Sequence, residues 1–323
     1  MIILALLVGA LEFAWVGRAS SETEVSIPHG AGVHAISGLL REHAVIENPL
    51  VFEAVVWLAH AGGALKAGEY RFPAHSTIAM VVQQLRTGGR DNGLTVRLVE
   101  SSNAREMAVE LARVTGISPD EFLAIVHAPA STLLTSFPWL PPVVRSVGLE
   151  GYLFPDTYQF LEDTRPEEMV RAMLSNFAHK VLPMTRDGLR GYPLDLHGLM
   201  TLSSVVEREV ATWEDRRIVA DIFLRRMRAG IPLQADSTVN YATGKSRSRV
   251  SLEDLRNPSL YNTYQYLGLP PGPIGNPSLL TIRAVLSPVP NPYWYFLSDR
   301  DGVLYYSQTF AEHVGKKTAI YGQ

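Results

Sequence analysis

Leu199-Met200-Thr201-Leu202-Ser203-Ser204-Val205-Val206-Glu207-Arg208-Glu209-Val210 is the stretch on which the reading of this chain turns. At about 100° per residue, Leu199, Leu202, Val205, Val206 and Val210 share one helix face. Glu209 falls roughly 50° from the centre of that apolar stripe and Glu207 roughly 110°, while Arg208 points to the opposite side. A carboxyl on the edge of a buried face is poorly solvated, so its charged form is disfavoured and its pKa rises. That is the property a general acid needs near neutral pH. Glu207 is expected closer to water and ionised. The alternative for Glu209 is an ion pair with Arg216 or Arg217 and a purely structural role, and periodicity alone does not choose between the two.

Downstream, a helix is expected over Glu214–Ala229, closed by Gly230. Leu233-Gln234-Ala235-Asp236-Ser237-Thr238-Val239-Asn240-Tyr241 follows, dense in hydrogen-bonding side chains, then Tyr261-Asn262-Thr263-Tyr264 and the turn Gly268–Pro277. Trp294 and Tyr295 stand in an apolar run and read as core, with rings that stack on the apolar face of a sugar as the alternative. Upstream lies Glu150-Gly151-Tyr152-Leu153-Phe154-Pro155-Asp156-Thr157-Tyr158. A polar linker is expected near Arg186–Gly191.

The N-terminal third reads strand, helix, helix, strand, helix. Glu24–Ile27 alternates polar and apolar residues, and Val33, Ile36, Leu39 and Leu40 recur at helical spacing. A second helix is expected over Pro49–His60 and a short strand over Gly68–Phe72. Ser76 is the expected N-cap of a third helix, with Gly88-Gly89 closing it. Another strand is expected over Thr95–Val99, then a helix from Asn103 and a capping box at Ser118-Pro119-Asp120-Glu121. This β-α-α-β unit resembles the LysM-like domain of extracytoplasmic wall enzymes, and Lys66-Ala67-Gly68-Glu69-Tyr70-Arg71-Phe72 resembles a KAGxYxF run of one such family. A structural subdomain without sugar affinity remains the other reading, because no aromatic cluster here forms an obvious sugar platform.

The net charge of −3 over 323 residues offers no basic field for a polyanion, so no nucleic-acid partner is expected. With no cysteine there is no disulfide, thiolate site or Cys nucleophile. The nine histidines show no metal-ligand spacing, and no phosphate loop or GxSxG elbow occurs; no metal and no cofactor are expected. Residues 1–16 are apolar except for Glu12, a run shorter than the about 20 residues of a spanning helix. A membrane anchor, a weak signal peptide and a buried helix all fit. The anchor is the expectation, since nothing amphipathic in the run suggests a core helix.

Five motifs in order, EGYLFPDTY, SSVVEREV, LQADSTVNYATG, YNTYQYLGLPPGPIGNP and YFLSDRDGVLYYSQTFAEH, resemble the YceG-like family of murein transglycosylases, from about Thr23 to the C-terminus. The resemblance implies a membrane anchor over 1–20, a LysM-like subdomain over 21–92 and a catalytic domain over 93–323, in an α+β fold. It implies cleavage of the β-1,4 bond between N-acetylmuramic acid and N-acetylglucosamine in nascent peptidoglycan strands, leaving 1,6-anhydro ends. The implied place is the bacterial inner membrane, single-pass, with the catalytic part outside the cytoplasm. Peptidoglycan synthases and division or elongation proteins are the implied partners.

The family's catalytic glutamate is the second acid of an E-K/R-E triplet, which falls on Glu209. Gln234, Asp236, Ser237, Asn262 and Tyr264 are then expected to bind sugar or orient Glu209. Glu150 and Asp156 are candidate substrate contacts as a second carboxylate, with turn or cap contacts as the alternative. The sequence departs from the family pattern at Ser101, where glycine is usual, at Ala235 and Ser237 within the QTDPTV run, and at Val314. A hydrolytic muramidase and a non-catalytic strand-binding scaffold are the competing functions.

Overall fold

The computed structural model describes residues 21–28, 30–88, 94–161, 164–245, 250–299 and 301–322. The expected N-terminal helix and the boundary at residues 92/93 lie outside them. The chain divides into two compact units, one running through Leu94 and one holding Thr95–Phe160 and the residues from Thr164 onward.

In the first unit, β1 (Thr23–Ile27) is followed by α1 (Val33–Glu42), α2 (Pro49–Leu58), β2 (Gly68–Phe72) and α3 (Ile78–Thr87). The strands pair antiparallel, Thr23 opposite Phe72 and Ile27 opposite Gly68. Their alternation turns Val25, Ile27, Tyr70 and Phe72 inward, where they meet Ile36, Leu40, Phe52, Val56, Val81 and Leu85. Asn48 caps α2, with Pro49 in its first turn. The cap of α3 is Thr77 rather than the expected Ser76: Thr77 accepts from the Met80 amide, and the Ser76 hydroxyl is spent on Pro73 O at 2.7 Å, closing the preceding turn.

The second unit opens within β3 (Leu94–Arg97), which pairs with β4 (Thr157–Phe160). Between them lie α4 (Ala104–Thr115), α5 (Pro119–His127), α6 (Ser131–Ser136) and α7 (Val144–Val147). After β4 come α8 (Pro166–Lys180), α9 (Leu182–Gly188), α10 (Leu196–Glu209), α11 (Trp213–Arg228) and α12 (Asp236–Thr243). Then follow a 3₁₀ turn (Asp254–Arg256), α13 (Leu279–Leu286), the antiparallel hairpin β5 (Tyr295–Ser298) and β6 (Leu304–Ser307), and α14 (Phe310–Tyr321). The described residues thus form a helix-rich α+β fold with small sheets.

One segment differs from the sequence expectation. The expected linker at Arg186–Gly191 is helical through Gly188, where a Cβ would meet Leu286 of α13 at 3.2 Å; packing, not local composition, decides it. The polar run after Leu233 is helix α12 from Asp236 onward.

Asp195 caps α10 through the Gly198 amide at 2.8 Å. Beyond the expected stripe, Thr201, Ser203 and Ser204 are also buried, because α10 packs against both α11 and α13. Ser204 Oγ accepts from the Ile274 amide at 3.0 Å, which ties the Pro270–Asn276 loop to the helix. Val210 is extended at the C-cap, so Glu209 is the last helical residue.

Candidate active site

A cleft of about 1150 Å³ opens in the second unit, and Glu209 lines it. Ser237, in the first turn of α12, donates to Glu209 Oε1 through its hydroxyl at 2.6 Å and its amide at 3.4 Å. Burial pushes the Glu209 carboxyl above its ordinary range; the Ser237 hydroxyl pulls it back and the charge of Asp236 pushes it up again. Neither arginine weighed as an ion-pair partner reaches it. Arg216 pairs with Glu207 at 2.6 Å, and Arg217 donates to Ser287 O at 2.7 Å.

The start of α12 is fastened from beneath by two buried threonines. Thr263 O accepts from the Gln234 amide at 3.1 Å, Thr263 Oγ1 accepts from the Ala235 amide at 3.0 Å, and Thr238 Oγ1 lies 2.9 Å from Thr263 Oγ1. Gln234 enters this arrangement with φ of 54°, a left-handed conformation rarely taken by non-glycine residues. Tyr264 then donates its hydroxyl to Asp236 Oδ1 at 2.6 Å. Glu209, Gln234, Asp236, Ser237 and Tyr264 all line the cleft.

Three expected contacts lie elsewhere. Asn262 is fully buried: its amide donates to Leu255 O at 3.1 Å and Asn257 O at 2.8 Å, and its carbonyl accepts from the Tyr264 amide at 3.0 Å. It shapes the loop and has no polar atom left for a sugar. Glu150 is buried beneath the N-terminus of α4, where the Ala104 amide donates to both its oxygens at 3.0–3.1 Å and Asn276 Nδ2 to one at 2.9 Å. Burial pushes its carboxyl up to about 7. Asp156 is held by Lys180 and Asn176; burial acts to raise its carboxyl, but these hydrogen bonds prevail and hold it below the ordinary value. Neither acid lines the cleft.

Glu207 also departs from expectation. Its side chain is only 5% exposed, with Oε1 on Arg216 and Oε2 accepting from the Ser278 amide at 2.8 Å and hydroxyl at 2.7 Å. It anchors the N-terminus of α13 to α10, a contact that helical periodicity cannot reveal.

Several cleft residues were not among the expected site residues. Arg208 does not point away; its guanidinium donates to Ser101 O at 2.9 and 3.2 Å and to Glu106 at 3.0 Å. Ser101 has φ of 71°, and its amide donates to Asn276 O at 3.0 Å. The departure from glycine at this position was the available signal. Glu100 lines the same cleft, as do Arg226, Tyr295, His313 and Lys317. Tyr295 and Trp294 are half-buried rather than core: Arg226 lies 5.0 Å over the Tyr295 ring and Arg225 4.7 Å over Trp294.

The YceG-like family model matches residues 25–319, and the chain belongs to that family. It is 31% identical over 299 residues to the endolytic murein transglycosylase of Bacillus subtilis, covering 90% of this chain and 82% of that protein. It is 30% identical over 325 residues to the endolytic murein transglycosylase of Streptococcus pneumoniae R6; the match covers 91% of this chain and 58% of that longer protein. The crystal structure of a YceG-like protein from Listeria monocytogenes superposes with a TM-score of 0.65 at 29% identity, covering 92% of this chain and 99% of that one.

Proposed function

We propose that this chain is an endolytic lytic transglycosylase that cuts peptidoglycan between N-acetylmuramic acid and N-acetylglucosamine, with Glu209 as general acid and then base. The named activity of the Bacillus and Streptococcus relatives supports the substrate class. The observation that carries the assignment of Glu209 is a buried carboxyl with a raised pKa on the wall of a large polar cleft, hydrogen-bonded by Ser237 and free of any ion pair among the described residues.

Glu209 first gives its proton to the O4 leaving oxygen as the C1–O4 bond breaks. As carboxylate it takes the proton from the muramic C6 hydroxyl while O6 closes on C1. One C–O bond is broken and one formed, no water is consumed, and the proton count closes. The nucleophile is carried by the sugar itself, so the attack is intramolecular and needs no second carboxylate to activate water. The charge of Asp236, steadied by the Tyr264 hydroxyl, favours the positive charge that develops at C1.

In this reading the first unit is a LysM-like wall-binding subdomain, the residues before Ser21 anchor the chain in the inner membrane, and the cleft works outside the cytoplasm beside peptidoglycan synthases. Among the described residues no helix is long and apolar enough to cross a membrane.

The muramidase alternative would have to draw its second carboxylate from the cleft, where Glu100 and Asp236 are available. Mass spectrometry of fragments from uncrosslinked strands separates the two. The proposal expects 1,6-anhydro-muramoyl ends; reducing muramoyl ends would assign a hydrolase, and no cleavage would leave the scaffold reading.

A further inference from the structure

The part of the cleft walled by β5 and α14 carries positive charge that the catalytic proposal does not use. Arg226 is only 5% exposed, yet its guanidinium bonds to carbonyls alone: Trp294 O at 3.0 Å, Leu233 O at 2.7 Å and Pro232 O at 3.3 Å. Among the described residues no carboxylate pairs with it. Buried cations are ordinarily matched by a counter-charge, because carbonyl dipoles replace hydration only in part.

His313 stacks on Tyr295 with ring centroids 5.4 Å apart, and its Nδ1 is buried without a hydrogen-bond partner. Lys317 lies one turn further along α14 and lines the same wall, with no acidic partner among the described residues. Arg226 lies over the same Tyr295 ring on which His313 stacks, so the two share one wall of the cleft with Lys317. Burial and the neighbouring charges of Lys317, Arg226 and Lys316 hold the His313 ring below its ordinary pKa. Lys316 itself is engaged by Tyr306 O and does not line the cleft. Phe310, 64% exposed, stands 5.8 Å from Tyr295 and adds an apolar face beside the charge. Acidic residues of the cleft are drawn from other elements: Glu100, Glu106, Glu209 and Asp236.

We infer that Arg226, His313 and Lys317 form a carboxylate-binding subsite for the glycan strand, with Tyr295 and Phe310 flanking the sugar that bears it. This rests on the peptidoglycan reading above and extends it: the enzyme would prefer strands whose muramic units are anionic. Two sources supply that chemistry, the carboxylates of the stem peptide and the lactyl carboxylate exposed when the peptide is removed. A guanidinium and an ammonium facing one carboxylate give charge-assisted hydrogen bonds, about twice as strong as neutral ones.

The test uses the full chain and four strand preparations: peptide-bearing, amidase-denuded, and the methyl ester of each. Cleavage (kcat/KM) and binding of each preparation are both measured. The wild type is expected to favour acid over ester by about tenfold for at least one pair, the loss of one charge-assisted contact. Preference within the peptide-bearing pair alone assigns the peptide carboxylates; preference within the denuded pair assigns the lactyl group. Lys317→Gln should cut the acid-to-ester ratio at least threefold, while Lys316→Gln, a charge removed outside the cleft, should keep it. Equal handling of acids and esters by the wild type, or a ratio untouched by Lys317→Gln, overturns the subsite. If strands bind with the predicted preference but none is cleaved, the catalytic reading fails and the subsite stands.

Discussion

Ser237 grips Glu209 twice, its hydroxyl at 2.6 Å and its backbone amide at 3.4 Å from the same carboxylate oxygen. The last residue of α10 is thereby joined to the first turn of α12. The C-terminal end of one helix dipole and the burial of the site resist ionisation of Glu209, while the N-terminal end of the other and the hydroxyl favour it. Burial prevails, and the carboxyl stays protonated above its ordinary range.

A pH dependence follows from that balance. Turnover needs the proton on Glu209, so activity should fall as pH rises through its raised pKa. Ser237→Ala removes a group that favours the charged form and should move this alkaline limb to higher pH. Asp236→Asn removes a like charge and should move it lower. Profiles of kcat against pH for the three proteins check the order, and coincident limbs would detach the limb from Glu209.

Glu150 should leave its mark on stability rather than turnover. Burial pushes its folded carboxyl up to about 7, well above the ordinary glutamate range. The bound proton therefore stabilises the fold below the unfolded pKa, and that stability is lost as pH rises through about 7. Between pH 5 and 7.5 the loss should be on the order of 2 kcal/mol. Urea unfolding at both pH values checks this, and Glu150→Gln should flatten the difference.

Glu207 and Glu209, two residues apart, should behave oppositely on removal. Glu207 is locked to buried Arg216 and to Ser278, so Glu207→Ala strands a cation and should cost about 3–5 kcal/mol. Glu209→Gln breaks no ion pair and should change unfolding free energy by less than about 1 kcal/mol. Chemical denaturation of the two variants at neutral pH makes the comparison.

The clamp from Arg208 to Ser101 can be tuned both ways. Ser101 holds φ of 71°, so Ser101→Gly should stabilise the fold by about 0.5–1 kcal/mol, the relieved strain less the entropy gained by the unfolded chain. At Gly275 an added Cβ would stand 2.5 Å from Ser101 O, so Gly275→Ala should cost about 1–3 kcal/mol. Midpoints of urea unfolding read both.

Local chemistry was legible from the sequence and distant company was not. The spacing of Leu199 to Val210 found α10 and put Glu209 on the edge of its apolar face, and the helix start expected at Asn103 and the capping residues from Ser118 marked α4 and α5. Periodicity nevertheless put Glu207 in water, because its cover comes from Ser278, 71 residues away in sequence. Glu150 looked available for a ligand for the same reason, its partners Ala104 and Asn276 lying 46 and 126 residues away. Asn262 looked available because the loop that turns the nearby Leu255 and Asn257 carbonyls onto its amide takes shape only on folding. Arg226, Tyr295 and His313 carried no local signal, since their shared wall exists only once β5 and α14 lie beside α11.

The most direct test of the account is the rate at which purified Glu209→Gln protein, verified as folded, releases fragments from uncrosslinked peptidoglycan strands. Loss of the general acid should lower kcat by about 10²–10⁴-fold while strand binding persists. A variant that cuts within about threefold of the wild-type rate would contradict the central role given to this carboxyl.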